Sequence, residues 1–294
     1  MKSKVLLAAV CALGIAGTAS AKEKIYVNDE VTTHIVMPEN IKMVDISTTK
    51  LIGNQCADNI VRIKPFIDND SIQTFYRENE LMATLTLIGE RHMAQYDIIY
   101  THASARAASI HHVPYAHTQS YVNPEVSMPE AEMARYAWAV YGSDRKYNQV
   151  VSKAHGMKAV VNNIYSIGDY FFIDYSLQNK TKIPYDIEEL RVKLTDKKEV
   201  KATNSQTIEL TPAFSLNLAK RFKKNYRNVL VIPKLTFPDE KVLRLEISEN
   251  QISGRVITLT IEYEDILNAD GFDSDILDGA DYYPYYYIDH SIKR

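Results

Sequence analysis

The sequence predicts a mainly β fold, with two β-sandwich domains joined by a linker that carries a short helix. Three observations predict it. Short apolar runs recur with a period of two, as half-buried strands require. Pro, Gly and Asp pairs separate those runs. One segment near the middle, rich in Ala, Met and Glu, has helical spacing instead. About 270 residues remain after the first 21, enough for two domains. Hydrophobic residues make up 46% of the chain, enough to fill two cores.

Residues 1–21 read as a secretory signal outside the fold. Lys2 and Lys4 give the positive start, Val5 to Ile15 the apolar run, and Ala19-Ser20-Ala21 a small-x-small cleavage site before Lys22. The run is shorter than the roughly 20 apolar residues that cross a bilayer, and no later stretch is long and apolar enough to do so. Cys11 is a poor lipidation site, because Val10 stands where a small residue is needed.

The first domain is read over 22–120. In "VTTHIVMPENIKMVDIS" (31–47) a strand-like alternation is cut at Pro38, and a second apolar run follows. Proline cannot donate to a β ladder, so the run must end there. Ile60 to Ile67 is a further short run that also holds a Pro. Leu81 to Leu87 alternates, with Leu81, Ala83, Leu85 and Leu87 on one face. Gly89-Glu90-Arg91 then reads as a turn and Gln95 to Thr101 as the returning strand of a hairpin.

Residues 121–155 are read as the linker. Asn123-Pro124 and Met128-Pro129 break strands, and Ser127 followed by Glu130 fits a capping box. Ala131, Ala134, Trp138 and Tyr141 then recur at helical spacing. The second domain, 156–269, opens with Tyr170 to Gln178, where Phe171, Ile173, Tyr175 and Leu177 share a face. Leu190, Val192 and Leu194 form the next strand, and Leu230–Ile232, Val242–Ile247 and Arg255–Ile261 follow between turn signals. Such spacing favours a sandwich over a βαβ fold. Residues 270–294 form an acidic, Tyr-rich tail with too little aliphatic content for a core of its own.

Chemistry-bearing patterns are sparse. Without Lys2 and Lys4 the chain has 32 basic and 37 acidic side chains, the opposite of the basic excess typical of nucleic-acid binders. Only Cys56 remains after the signal, so no internal disulfide forms. It is read as a buried small hydrophobe or a link to another chain. His111, His112 and His117 are the best metal candidates, but nothing nearby completes a set of four ligands. The acidic tail fails the EF-hand register with either Gly271 or Gly279 as the turn glycine.

"AKRFKKNYRN" interleaves Lys220, Arg221, Lys223, Lys224 and Arg227 with Phe222 and Tyr226. It reads as a polar connection between strands, with contact to an acidic partner or to the tail as the sharper alternative. Trp138, Tyr141 and the ring-bearing Tyr282, Tyr283, Tyr285, Tyr286 and Tyr287 are further partner-binding candidates. Nucleophile elbows, Walker loops and His-Glu-x-x-His helices are absent from the sequence. A carboxylate pair needs only spatial proximity, so a glycosidase is a minor alternative. The chain is read as non-enzymatic, with no cofactor and no resident metal.

Two long stretches carry a family likeness: "DYFFIDYSLQNKTKIPYDIEELRVKLTDKKEVKATNSQ" (169–206) and "IPKLTFPDEKVLRLEISENQISGRVITLTIEYEDILNA" (232–269). They resemble the TraN family of Bacteroides-type conjugative transposons, from about Ile25 to Ala269. Matching positions include Asn179, Pro184, Tyr185, Asp186, Gln206, Phe237, Asp239, Lys241, Glu249 and Arg255. Where the family pattern has two glycines before Arg255, this chain has Ser253-Gly254. "THIVMPENIKMVDIS" is remotely similar to the opening of the CagX/TrbG class of outer-membrane core subunits. These resemblances imply a structural subunit of a conjugative DNA-transfer machine, a type IV secretion system. They also imply a homo-oligomeric ring, neighbouring apparatus subunits as partners, and a periplasmic place at the outer membrane reached through those partners. The alternative is an exported β-sandwich binding module or adhesin for a polysaccharide or protein, since scattered Tyr suits sugar stacking.

Overall fold

The computed structural model describes residues 22–67, 76–147, 149–197, 207–252 and 254–271. The chain divides into two compact units, the first ending at Asn123 and the second beginning at Pro124. Residues 1–21, read from the sequence as a secretory signal, lie outside the described residues, as do Tyr282, Tyr283, Tyr285, Tyr286 and Tyr287.

The first unit holds β1 (Glu23–Val27), β2 (Thr33–Val36), β3 (Ile41–Ile46), β4 (Leu51–Ala57), β5 (Ile60–Pro65), β6 (Leu81–Gly89), β7 (His92–Tyr100), β8 (Ile110–His112) and β9 (Gln119–Ser120). One sheet runs β1-β7-β6-β3 with β9 beside β7; the other runs β4-β5-β2-β8. Ile25, Leu85, Tyr96 and Ile98 from the first sheet meet Ile35, Val61 and Ile63 from the second in one buried cluster. Fully burying each aliphatic side chain contributes about 1.5–3 kcal/mol.

The Pro-broken opening now has a physical meaning. β2 and β3 are consecutive in the chain but lie in different sheets, so Pro38 sits where the chain crosses from one layer to the other. The missing donor costs nothing there. The predicted hairpin forms as β6 and β7, with Leu85 opposite Tyr96. A bulge between Leu81 and Ala83 breaks the alternation, and Leu81 is 52% exposed rather than on the inner face.

The second unit contains α1 (Glu130–Gly142), β10 (Val151–Ala154), β11 (Met157–Ile167), β12 (Tyr170–Asn179), β13 (Tyr185–Asp196), β14 (Ile208–Leu210) and β15 (Phe214–Ser215). β16 (Arg221–Phe222), β17 (Asn225–Pro233), β18 (Lys241–Glu249), β19 (Val256–Ile261), α2 (Tyr263–Leu267) and β20 (Asp270–Gly271) complete it. One sheet runs β10-β11-β12-β17-β15 with β20 beside β11; the other runs β14-β13-β18-β19 with β16 beside β13. Phe171, Ile173, Tyr175 and Leu177 share the inward face of β12, as their alternation predicts, and join Val192 and Leu245 in the core. Gly168, at φ +54°, makes the tight turn from β11 into β12 that a side chain would strain.

The helix departs from its predicted role as a linker element. Met133, Ala137 and Val140 of α1 pack onto Phe172, Val229 and Val231, on the sheet face opposite the sandwich core. The cause lies in β12 and β17: both of their faces are apolar at these positions, so the outer one needs cover too. The predicted capping box is also absent. Pro129 is the N-cap with no side-chain cap bond, and the Ser127 hydroxyl lies 3.2 Å from the Tyr170 hydroxyl instead. A capping box does form at α2, where Glu262 and Asp265 bond each other's backbone N–H groups.

Candidate functional site: a polar groove beside the helix

α1 covers only part of the outer face of its sheet. Beyond its C-terminal end lies an open groove of about 670 Å³. Val160 and Asn162 of β11, Ser176 and Gln178 of β12, and Asn225 and Arg227 of β17 form its floor, with Tyr141 and Arg145 beside them. The alternation that turns Tyr175 and Leu177 inward turns Ser176 and Gln178 outward. Register then sets Ser176 between Val160 and Arg227.

A buried ion pair anchors the floor. Asp174 is fully buried and accepts from Arg227 Nε at 2.9 Å and from Arg227 Nη2 at 2.6 Å. Asn162 Nδ2 donates to the same carboxylate at 2.8 Å and Asn163 Nδ2 at 3.3 Å. Two consecutive residues reach one acid because the ladder is bulged between Val161 and Asn163. The Arg227 guanidinium also stacks 4.6 Å from the Tyr141 ring centre. Burial opposes its charge, but the hydrogen bonds and field of Asp174 outweigh that and raise its pKa.

This corrects the reading of the basic stretch as a polar connection. Arg221 and Phe222 form β16, β17 starts at Asn225, and Phe222 and Tyr226 are buried in the core. Period-two alternation turns those rings inward, so they offer no exposed stacking surface. Arg221 lies 3.2 Å from Asp186, while Lys220, Lys223 and Lys224 are exposed. Trp138 and Tyr141 meet edge to face on α1 with ring centres 5.7 Å apart. Of the sequence-selected residues, Tyr141 and Arg227 come together at the groove. Asn162, Asn163 and Asp174 were missed, and a pair of Asn opposite an Asp within apolar strands was the available signal.

In the first unit, His111 stands opposite Ile35 of β2 and packs edge to face on Tyr96, ring centres 4.9 Å apart. Its Nε2 and the Tyr96 hydroxyl are both buried without a hydrogen-bond partner. His112 is exposed, and His117 approaches Glu23 at 3.9 Å. Among the described residues, no three His, Cys, Asp or Glu side chains are grouped to hold a metal. Cys56 departs from its predicted burial. β4 is an edge strand, only Leu51 of it reaches the core, and Cys56 is exposed.

Burial lowers the His111 pKa, the neighbouring His117 and His112 lower it further, and Glu23 opposes them. The unfolded chain therefore takes up this proton first, at about pH 6.5. Stability of the first unit is then complete above that pH and falls as the pH drops below it. Unfolding midpoints measured from pH 8 to pH 5 are expected to decline below 6.5, and His111→Leu is expected to flatten the decline. An unchanged slope in the variant counts against this account.

Four of the residues that carried the family likeness, Pro184, Tyr185, Glu249 and Arg255, converge elsewhere in the second unit. Arg255 Nε donates to Glu249 at 2.8 Å, and a second, short contact joins Arg255 Nη2 to the same carboxylate. Nη2 also donates to the Pro184 carbonyl at 3.1 Å and Nη1 to the Thr181 hydroxyl at 3.2 Å. The Tyr185 hydroxyl lies 2.8 Å from the carbonyls of both Ile247 and Arg255. Asn179 closes the neighbouring turn through the Ile183 carbonyl at 2.7 Å. Phe237 packs in the core, Lys241 pairs with Asp196 at 3.3 Å, and Gln206 lies outside the described residues.

Comparison with known proteins adds to this picture. Residues 130–271 match the family described as Domain of unknown function (DUF4138). The match starts at the first residue of α1 and ends at the last of β20, so the helix falls inside the matched segment. A solved DUF3823 family protein from Bacteroides ovatus ATCC 8483 is similar with a TM-score of 0.20 and 9% identity, over 79% of this chain and 98% of that one. No curated protein matches the chain.

Proposed function

We propose that the protein is a non-enzymatic structural subunit of a conjugative DNA-transfer apparatus of the type IV secretion kind, related to the TraN family. In this reading it is exported and sits in the periplasm, where neighbouring subunits hold it at the outer membrane in a homo-oligomeric ring. The observation that carries the reading is the node at Arg255. Pro184, Tyr185, Glu249 and Arg255, positions that resemble the family, are tied to one another by hydrogen bonds, and Asn179 closes the adjoining turn through Ile183 and Thr181. They brace the fold of the second unit, as suits a subunit whose work is to hold shape.

Exposed strand edges support the same reading. Among the described residues β4 pairs only with β5, and Ile52 to Ala57 are all exposed. Such an edge can take a strand from another chain, with main-chain hydrogen bonds supplying affinity. The groove favours a second reading, an exported binding module, because its polar floor and flanking Tyr141 could take a ligand. Deleting the gene is expected to abolish transfer of the element while nicking and processing of its DNA continue. Envelope complexes purified through a tagged copy are expected to contain other apparatus subunits. Transfer at the parental frequency in the deletion strain would overturn the proposal, and a polysaccharide recovered in place of subunits would favour the binding module.

A further inference from the structure

We infer that the groove of the second unit is the receptor for this chain's own C-terminal segment, residues 272–294, and in particular for "ADYYPYYYIDH" (280–290). This inference does not depend on the conjugation reading. It begins with where the chain leaves the fold. β20 pairs in parallel with Tyr165 and Ser166 of β11, and β11 also supplies Lys158, Val160 and Asn162 to the groove. Lys158 lies about 26 Å back along the strand, at about 3.3 Å per residue. The segment of 23 residues that follows Gly271 spans up to about 75 Å when extended. β20 points away from the groove, so the segment must reverse. Asp278-Gly279, a turn-forming pair, stands just before the tyrosines.

Charge and ring surface select this groove over the exposed lysines around the β16–β17 turn. Arg145 and Lys158 line it and make no ion pair among the described residues, whereas Arg227 is committed to Asp174. The segment carries five Asp, with its only cations at Lys293 and Arg294. Tyr141, Val151 and Val160 provide apolar surface in the groove. At that turn, Phe222 and Tyr226 are turned into the core, leaving charge without ring contact. Exposed ion pairs alone bind weakly, so Tyr282 to Tyr287 must supply most of the contact, which tyrosine does at low conformational cost. The tether raises the local concentration of the segment to the millimolar range, so modest intrinsic affinity is enough.

The test uses the full chain from Lys22 to Arg294 in three forms: unaltered, Arg145→Glu/Lys158→Glu, and with Tyr282, Tyr283, Tyr285, Tyr286 and Tyr287 replaced by Ser. Hydrogen exchange of residues 272–294 is expected to speed at least tenfold in both variants, while exchange in β17 and β18 stays unchanged as the folding control. A labelled peptide of residues 272–294 is expected to bind the Ser-substituted chain at least tenfold more tightly than the unaltered chain, whose groove is filled. Equal binding to both overturns the inference. So does exchange that is indifferent to Arg145→Glu/Lys158→Glu but quickened by Lys223→Glu/Lys224→Glu, which assigns the segment to the β16–β17 turn. Protection that disappears on dilution places the segment on a second copy and overturns it too.

Discussion

Asp174→Ala is expected to destabilise the second unit by about 3–5 kcal/mol, the range for breaking a buried ion pair from one side. Asp174 has no solvent exposure and the Arg227 side chain only 17%. Without the carboxylate, the guanidinium keeps its charge but loses both bonds to Asp174. Asn162 and Asn163 each lose an acceptor at the same time. The pair as a whole is worth far less than this, because bringing both charges out of water costs nearly what their attraction returns. A double replacement, Asp174→Leu with Arg227→Met, is therefore expected to recover most of the loss. Urea denaturation reads both effects as shifts in midpoint at constant slope. A loss below about 1 kcal/mol for Asp174→Ala would mean that solvent screens the pair as it does at a surface.

Asp174 also shows how far the sequence was legible. Alternation in "YFFIDYSLQ" correctly placed Phe171, Ile173, Tyr175 and Leu177 on the core face, because one face of that strand is uniformly apolar. The other face reads Tyr170, Phe172, Asp174, Ser176 and changes from apolar to polar halfway along. That change divides the surface under α1 from the groove, and it is visible only once α1 is known to lie on the sheet. The helix itself was found from its spacing, but its partner was not. Met133, Ala137 and Val140 name an apolar stripe without naming what it covers, and helix existence is more legible than helix docking. The basic stretch misled for the converse reason. Five cations in eight residues look like a patch until the strand period turns Phe222 and Tyr226 inward and gives Arg227 to Asp174. Cys56 was misplaced because burial of a small residue depends on whether its strand is an edge, which is a property of sheet order.

The node at Arg255 yields the second large effect. Arg255→Ala is expected to cost about 2–3 kcal/mol, below the range for a wholly buried pair, because its side chain is 18% exposed against 6% for Glu249. Arg255→Lys is expected to recover little. A lysine is a single point of charge, whereas the guanidinium fork reaches Glu249, Thr181 and Pro184 together. Gly254→Ala attacks the same place sterically, since its added Cβ would lie 2.3 Å from the Glu249 carbonyl oxygen. Overpacking of that kind costs about 1–3 kcal/mol. The pair also sets an acid response. The hydrogen bond from Arg255 holds the Glu249 carboxyl below its ordinary pKa of 4.5. The resulting stability is present above that ordinary value and is lost as the pH falls through the lowered one. Melting curves from pH 7 to pH 3 are thus expected to show a shallower acid decline for Arg255→Ala than for the unaltered chain. Parallel declines in the two proteins would show that Glu249 draws its low pKa from some other neighbour, and the node would then lose its claim to brace the second sandwich.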